Sequence, residues 1–416
     1  MKQVRREKGQ ALILIALAAV GLFGFAALAI DGSRSYSDRR HAQNAADSAA
    51  LAAALAYQRH NDLYVAGTTR ATTNGYDGGA TSDVTIDVVD IAEGSGICPG
   101  DTAGKDITVT IKSLIDSTFA RIVGKNQFTN TVSATTRSCG FYRAPLLNGY
   151  PVIGLSNYNS IGHPRGCGFS TGNSHSTIWD IDGGGVYSNG CAHSSNPGSV
   201  NFHTGPDPEC AASAGAATGF DCQDPGRTDM FITYPQDIDA IMPPNPCGAG
   251  GIGLPPPASG STFENGVYCI SDLETYTGMD IILNNATLYV TDPQFDLRFA
   301  GHGGLFGSGT QPGGYAGSGP YEGYYMVIVR VDPPCQDFTH GAQVIDWRGN
   351  GTGAFTGTIL APSACIDLRG NADPIGFNTQ LIAYVVGSNG DADVRIRYNP
   401  DDNRREPVYP SITMLR

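Results

Sequence analysis

Polarity changes abruptly along this chain, and the sharpest change follows Ile30. Residues 10–30, QALILIALAAVGLFGFAALAI, give 21 positions without a charge, enough for one helix to cross the hydrocarbon core of a bilayer. Residues 31–58 keep the helical period but exchange bulk for alanine, with alanines at 42, 45, 46, 49, 52, 53 and 56. Arg39, Arg40, Gln43, Asn44, Asp47 and Ser48 flank that stripe, so one side is small and apolar and the other wettable. No proline interrupts 10–58. The pattern predicts a single rod, about 74 Å long at ~1.5 Å per residue.

Beyond the rod the period shortens to two. Asp83–Ile91 (DVTIDVVDI) and Asp106–Ile111 (DITVTI) alternate as half-buried strands, Asp116–Val123 reads as a short helix, and Phe128–Thr136 as a further strand. Residues 61–144 are therefore expected to form a small α+β domain, which a Cys98–Cys139 bridge would clamp. From about Pro151 short β-rich runs alternate with Gly, Asn and Pro. Ala354–Ala361, Cys365–Arg369, Gln380–Val386 and Asp393–Tyr398 fall into two interleaved series, first to third and second to fourth, with steps of 26 and 28 residues. Gly185–Asn189, Ser199–Thr204, Asn265–Ile270, Ala286–Thr291 and Phe295–Phe299 share their grammar. Such a period predicts stacked coils. The expected fold is mainly β: a long N-terminal transmembrane helix, a small α+β unit, then a right-handed parallel β-helix or solenoid over 151–416. A β-sandwich is the alternative, because short strands with polar turns serve both. The Gly- and Pro-dense stretches 243–261 and 301–323 read as loops inserted between coils.

Charge and cysteine orient this layout. Lys2, Arg5, Arg6 and Lys8 precede the apolar run, which places the tip 1–9 in the cytoplasm and residues 31–58 and all that follows outside. Residues 61–416 hold 18 basic and 35 acidic side chains, a balance that argues against binding nucleic acid. All 10 cysteines lie in the outer part without a CxxC, the usage of a disulfide-bonded extracytoplasmic protein, although spacing does not give the pairing. A competing reading of the N-terminus is a cleaved signal, since Ala27-Leu28-Ala29 is an A-x-A pattern; against it, signal cores are shorter than this run.

The order of basic tip, Lys8-Gly9-Gln10-Ala11, apolar run, Ile30-Asp31-Gly32 and then Gln43-Asn44-Ala45-Ala46-Asp47-Ser48-Ala49-Ala50-Leu51-Ala52 resembles the N-terminal module of tight-adherence (Tad) pilus assembly proteins of the TadE/TadG-like group. Asp116–Arg137 is similar, more weakly, to the helix and strand that often follow. The resemblance implies a bitopic envelope protein linked to a Tad-type pilus, with a variable outer domain and no catalytic residue. Type IV pilins carry a glutamate five residues after the processing site; with cleavage after Gly9 that place is Leu14, which favours an accessory role over a filament subunit. The outer domain is similar to Gly- and Asn-punctuated β-solenoids of other surface proteins. The partners expected are the lipid bilayer through 10–30, Tad pilus or assembly proteins through the alanine face of 42–56, and surface glycans. That alanine face has a second reading, packing on its own domain.

Candidate chemistry is sparse. Gly168-Phe169-Ser170-Thr171-Gly172 fits G-x-S-x-G, but a nucleophile elbow needs a strand feeding a helix, and no helix signal follows. His163, His175, His193 and His203 lie near Cys167 and Cys191, a zinc set only if the thiols are free. Asp180 and Asp182 in WDIDGGG share one face of a strand, roughly 6–7 Å apart at ~3.3 Å per residue, a spacing suited to acid and base in glycoside cleavage. Asp-x-Asp before glycine is also turn chemistry. Asn389–Asp393 and Asp401-Asp402-Asn403 read as calcium loops without EF-hand spacing, and Gly301–Gly304 lacks the strand and helix of a phosphate cradle. The expectation is a structural or adhesive protein, not an enzyme, with no cofactor and no metal. The rivals are an anchored polysaccharide-acting enzyme and a carbohydrate-binding adhesin.

Overall fold

The helix predicted over 10–58 forms without a break: α1 runs Gln10–Gln58, 49 residues, as alanine, leucine and the absence of proline favour. The computed structural model describes residues 10–158, 167–172, 178–196, 198–203, 210–257, 261–300, 303–311, 319–335, 343–348, 353–368, 375–388 and 393–415. The chain divides into two units, Met1–Arg143 with Pro407–Arg416, and Ala144–Glu406. The outer domain expected to run to 416 thus ends ten residues earlier.

In the first unit α1 leads into α2 (Leu63–Thr73), which starts where the Asp62 carboxylate accepts the N–H groups of Tyr64 and Val65. Three antiparallel strands follow, β1 (Ser82–Ile91), β2 (Gly104–Asp116) and β3 (Gln127–Cys139). The strand Ser411–Leu415 completes the sheet against β3. Residues 116–123 are not a helix: β2 extends to Asp116, and only Ala120–Val123 makes a 3-10 turn at the hairpin tip. Cys98 and Cys139 are bonded.

The alanine stripe is consumed here. Ala42, Ala45, Ala46, Ala49 and Ala50 are buried against Val109, Ile111, Val132 and Ala134, and Ala53 and Ala54 against Leu63 and Ile107. Methyl-sized side chains let helix and sheet approach closely, so the face expected to meet pilus partners is closed by its own domain. At Gly67 of α2 even a Cβ would come 2.7 Å from Ile86 Cδ1.

The second unit is mainly β, and the pairings of its large sheet are parallel. One series steps from Val152–Gly154 to Val186–Ser188, Ala211–Ser213 and Gln223–Pro225. Another steps from Thr262–Ile270 through Asp280–Val290, Tyr324–Ile328 and Thr358–Leu368 to Leu381–Ser388. Leu381 then pairs with Val152. In space the two series are one stack that the chain enters and leaves at the middle. Segment 226–257 consequently leads the chain away from one end of the stack before it resumes at the other. It contains the helix Gln236–Ile241, and its Ile232 and Ile238 pack against the row Tyr187, Ile153, Ile382, Leu360 and Val327. Of the stretch 243–261, residues 243–257 are the second half of that strap, tied down by Cys247–Cys269 and a bridge from Leu254 to Tyr268, and 258–260 lie outside the described residues.

Inward from the sheet Val186, Val152, Leu381, Ile359, Met326 and Leu288 form a continuous buried row. A second, four-stranded parallel sheet places Val200–Phe202, Ile178–Asp182, Asp393–Arg397 and Ile375–Phe377 side by side. Disulfide 167–191 joins the paired parallel strands Cys167–Thr171 and Cys191–Ser194, 210–222 joins the residues that lead into Ala211–Ser213 and Gln223–Pro225, and 335–365 fastens a loop to the second series.

Two expectations are corrected. Ile359 pairs with Leu381, as the first and third runs predict, but Cys365–Leu368 continues the same strand, and its residues Cys365–Asp367 pair with Val385–Gly387. Asp393–Arg397 belongs to the other sheet. Stretch 301–323 is not simply an inserted loop: Gly304–Ser308 is a strand between Asp280–Asn284 and Ala354–Thr356, with Leu305 fully buried. Gly307 sits there at φ 84 because a Cβ would lie 2.0 Å from Leu283 O. Residues 301–302 and 312–318 lie outside the described residues.

Candidate functional site

The strongest concentration of chemistry lies where the two series of the second unit meet. Alternation turns Trp179 and Ile181 inward and leaves Asp180 and Asp182 outward on one strand. Val394 and Ile396 likewise turn inward, leaving Arg395 and Arg397 outward on the next. Register sets Arg395 opposite Asp180 and Arg397 opposite Asp182. His203 follows the strand on the other side, and its Nε2 lies 2.6 Å from Asp180 Oδ1. Arg395 is also 3.5 Å from Asp393, while among the described residues its Nε is covered and finds no acceptor. These side chains line an open recess of about 240 Å³.

That volume is below the ~300–1,000 Å³ of sites that enclose small molecules. Its walls offer carboxylates to accept hydroxyl hydrogens and guanidinium groups to donate to anionic or neutral oxygens. The recess therefore offers both hydrogen-bond acceptors and donors to a small polar group approaching from solvent. Asp180 is already engaged by His203, so the two carboxylates are unequal.

The other sequence candidates separate. Ser170 lies within the strand Cys167–Thr171, not at an elbow. Cys167 and Cys191 are bonded to each other and supply no thiolate. His193 shares a 2.9 Å hydrogen bond with the Thr218 hydroxyl, and burial lowers its pKa. His163, His175, His302 and residues 389–392 lie outside the described residues. Asp402 and Asn403 serve a corner: Asp402 accepts from Asn378 and Asn399, and buried Asn403 accepts the Gln380 N–H at 3.0 Å while donating to Asn399 O at 2.9 Å. Among the described residues no group of His, Cys, Asp and Glu is arranged to hold a metal ion. Arg395 and Arg397 escaped sequence reasoning. Their R-x-R spacing mirrors D-x-D, but nothing local pairs strands so far apart.

A second set of polar contacts lies in the N-terminal module. Asp31, the first residue after the apolar run, is 3 % exposed. Its carboxylate accepts the N–H groups of Thr118 (2.9 Å), Phe119 (2.9 Å) and Ala120 (2.8 Å). Burial alone would raise its pKa, but these three donors and the charge of Arg34 hold it below its ordinary value. Two turns further, Asp38 accepts from Ser113 (2.7 Å) and Asn130 (2.8 Å). Burial, with Asp38 beside it, pushes the Tyr76 hydroxyl up to about 12. At the far end Gln58 donates to Cys139 O at 2.9 Å. From Asp31 to Gln58 the helix is bonded to its sheet without a joint.

Before that latch, the large side chains from Ile13 to Leu28 stand 62–77 % exposed. Among the described residues α1 is the helix long and apolar enough to cross a membrane. This apolar half-helix, continuous with a sheet-backed module, has the length and composition of a membrane anchor. Residues 9–56 match the family described as putative Flp pilus-assembly TadE/G-like, so the N-terminal module is of that kind. Neither a curated protein nor a solved structure matches the chain.

Proposed function

We propose that this chain is a membrane-anchored structural protein of the cell envelope that serves assembly of, or adhesion by, a Tad-type pilus. The observation that carries this reading is the family match over 9–56 coinciding with an apolar half-helix that continues unbroken into a folded module. The basic tip stays in the cytoplasm and the bulk faces outward, where the disulfides form. The second unit is a right-handed parallel β-solenoid: its parallel pairing and buried Val/Leu/Ile row support stacked coils over Greek-key hairpins, and parallel crossovers favour that hand. With the alanine face closed, contacts to pilus proteins fall to the outward side of α1, where Leu51 and Leu55 are 40 % and 41 % exposed.

Deleting the chain from its native host tests this. Pili and surface adherence should fall and return with the full chain, and the protein should resist alkaline extraction from membranes. Normal piliation and adherence without the chain would refute the proposal.

The recess at Asp180, Asp182, His203, Arg395 and Arg397 favours a second reading, glycan adhesion without turnover. Saccharide-array binding by the full chain, lost in Asp180→Asn/Asp182→Asn, would support it. Product formation lost in the same variant would instead indicate a polysaccharide-acting enzyme.

A further inference from the structure

We propose that the β2–β3 hairpin tip, residues 118–125, is a second membrane contact, seated in the headgroup region of the bilayer that α1 crosses. The inference rests on the reading of 10–30 as a membrane span and adds a surface to it. Asp31 immediately follows the last apolar residue, and its carboxylate binds three consecutive backbone N–H groups of the tip. Arg34 also donates to the Thr118 hydroxyl. The tip is thus held at the level of α1 where the apolar run ends.

What the tip presents fits that level. Ile122 is 86 % exposed, more than the large side chains from Ile13 to Leu28, and Phe119 is 37 % exposed. An apolar residue so bare is expensive in water and favourable at the boundary between headgroups and acyl chains, where interfacial segments bury their apolar side ~5–10 Å deep. Exposed Arg121 and Lys125 flank it, and Arg34 lies beside it on α1, which suits anionic headgroups. Arg121 also approaches Asp116 at 3.9 Å, leaving its exposed guanidinium within reach of lipid. Tyr36, 64 % exposed on α1, stands just past the run as an interfacial aromatic. Two anchors held together by Asp31 would fix how the module stands on the membrane.

Tryptophan quenching by brominated lipid tests this on the full chain, reconstituted into phosphatidylcholine/phosphatidylglycerol bilayers. The native Trp179 and Trp347 are 0 % and 2 % exposed within the second unit's core, so an introduced tryptophan is read as a difference. Ile122→Trp should be quenched severalfold more by lipid brominated near the headgroup than by lipid brominated near the chain end. Val89→Trp is the control: Val89 is 64 % exposed but lies near the Gln58 end of the sheet, about 40 Å further along α1 at ~1.5 Å per residue, and should not be quenched. Leu17→Trp reports the span itself. Unquenched Ile122→Trp with quenched Leu17→Trp overturns the second contact and leaves the anchor standing. Unquenched Leu17→Trp overturns the anchor, and the second contact with it. Equal quenching of Val89→Trp and Ile122→Trp overturns the proposal in favour of indiscriminate adsorption.

Discussion

Replacing Ala46 by leucine asks whether the alanine face of α1 is a core or a docking surface. Ala46 is 0 % exposed, and it packs with Val109, Ile111, Val132 and Ala134 in a cluster whose helix side is alanine throughout. The closeness of that packing shows at Gly67, where even a Cβ would meet Ile86 at 2.7 Å and Ala53 at 3.3 Å. Three added carbons must therefore push helix and sheet apart, at an overpacking cost of about 1–3 kcal/mol. Taking about 2 kcal/mol, the first unit should melt roughly 8 °C lower. The two units report separately, because Trp179 and Trp347 lie in the second while α1 and α2 dominate far-ultraviolet circular dichroism. In the detergent-solubilised chain the dichroism midpoint should fall while the tryptophan transition stays. Leu51→Ala, on the exposed side of the same helix, should move stability by no more than about 0.5 kcal/mol. An unmoved dichroism midpoint in Ala46→Leu, together with lost piliation, would refute the reasoning and return the face to a partner.

Further outcomes follow from other contacts. Because the folded pKa of Asp31 is depressed below its ordinary 3.8, its contribution to stability is present above that value and disappears as pH falls through the folded one; Asp31→Asn should flatten the acid limb of the first unit's stability curve and speed amide exchange at 118–120. An unchanged acid limb would exclude the latch. Removing the 98–139 bridge, whose cysteines are 41 residues apart, should cost the first unit about 4 kcal/mol from loop entropy, read by denaturant titration under the same dichroism signal; a loss below about 1 kcal/mol would contradict it. Asn403→Ala leaves the buried Gln380 N–H without its 3.0 Å acceptor, and should cost the second unit about 1–3 kcal/mol in the tryptophan-monitored transition.

The rod was fully legible, because charge-free length, alanine periodicity and the absence of proline all bear on one local decision. The strands of the small unit were legible for a similar reason: one buried face enforces alternation in β1 and β2. Which partner meets a strand is a different question. The pairing of Arg395 with Asp180, and so the recess itself, depends on Leu381 returning to Val152, a choice that no local pattern records. Stretch 301–323 misled because glycine signals both flexibility and close approach, and at Gly307 it means the second. The alanine face showed that something comes near; it did not say whose surface that would be.

The wiring of the second unit has a consequence for biosynthesis. Synthesis runs from one end of the chain, whereas the stack is assembled from its middle outward and then back. Val152–Gly154 is made early, yet one of its edges stays open until Leu381 emerges; β3 waits longer still, for Ser411–Leu415. Both open edges are templates for wrong pairing, so the nascent protein needs shielding until Leu381 and Ser411–Leu415 have been made. In return, closure of the β3 edge certifies that everything inserted between Cys139 and Ser411 has been made, so the last strand of the first unit's sheet reports on the synthesis of the second.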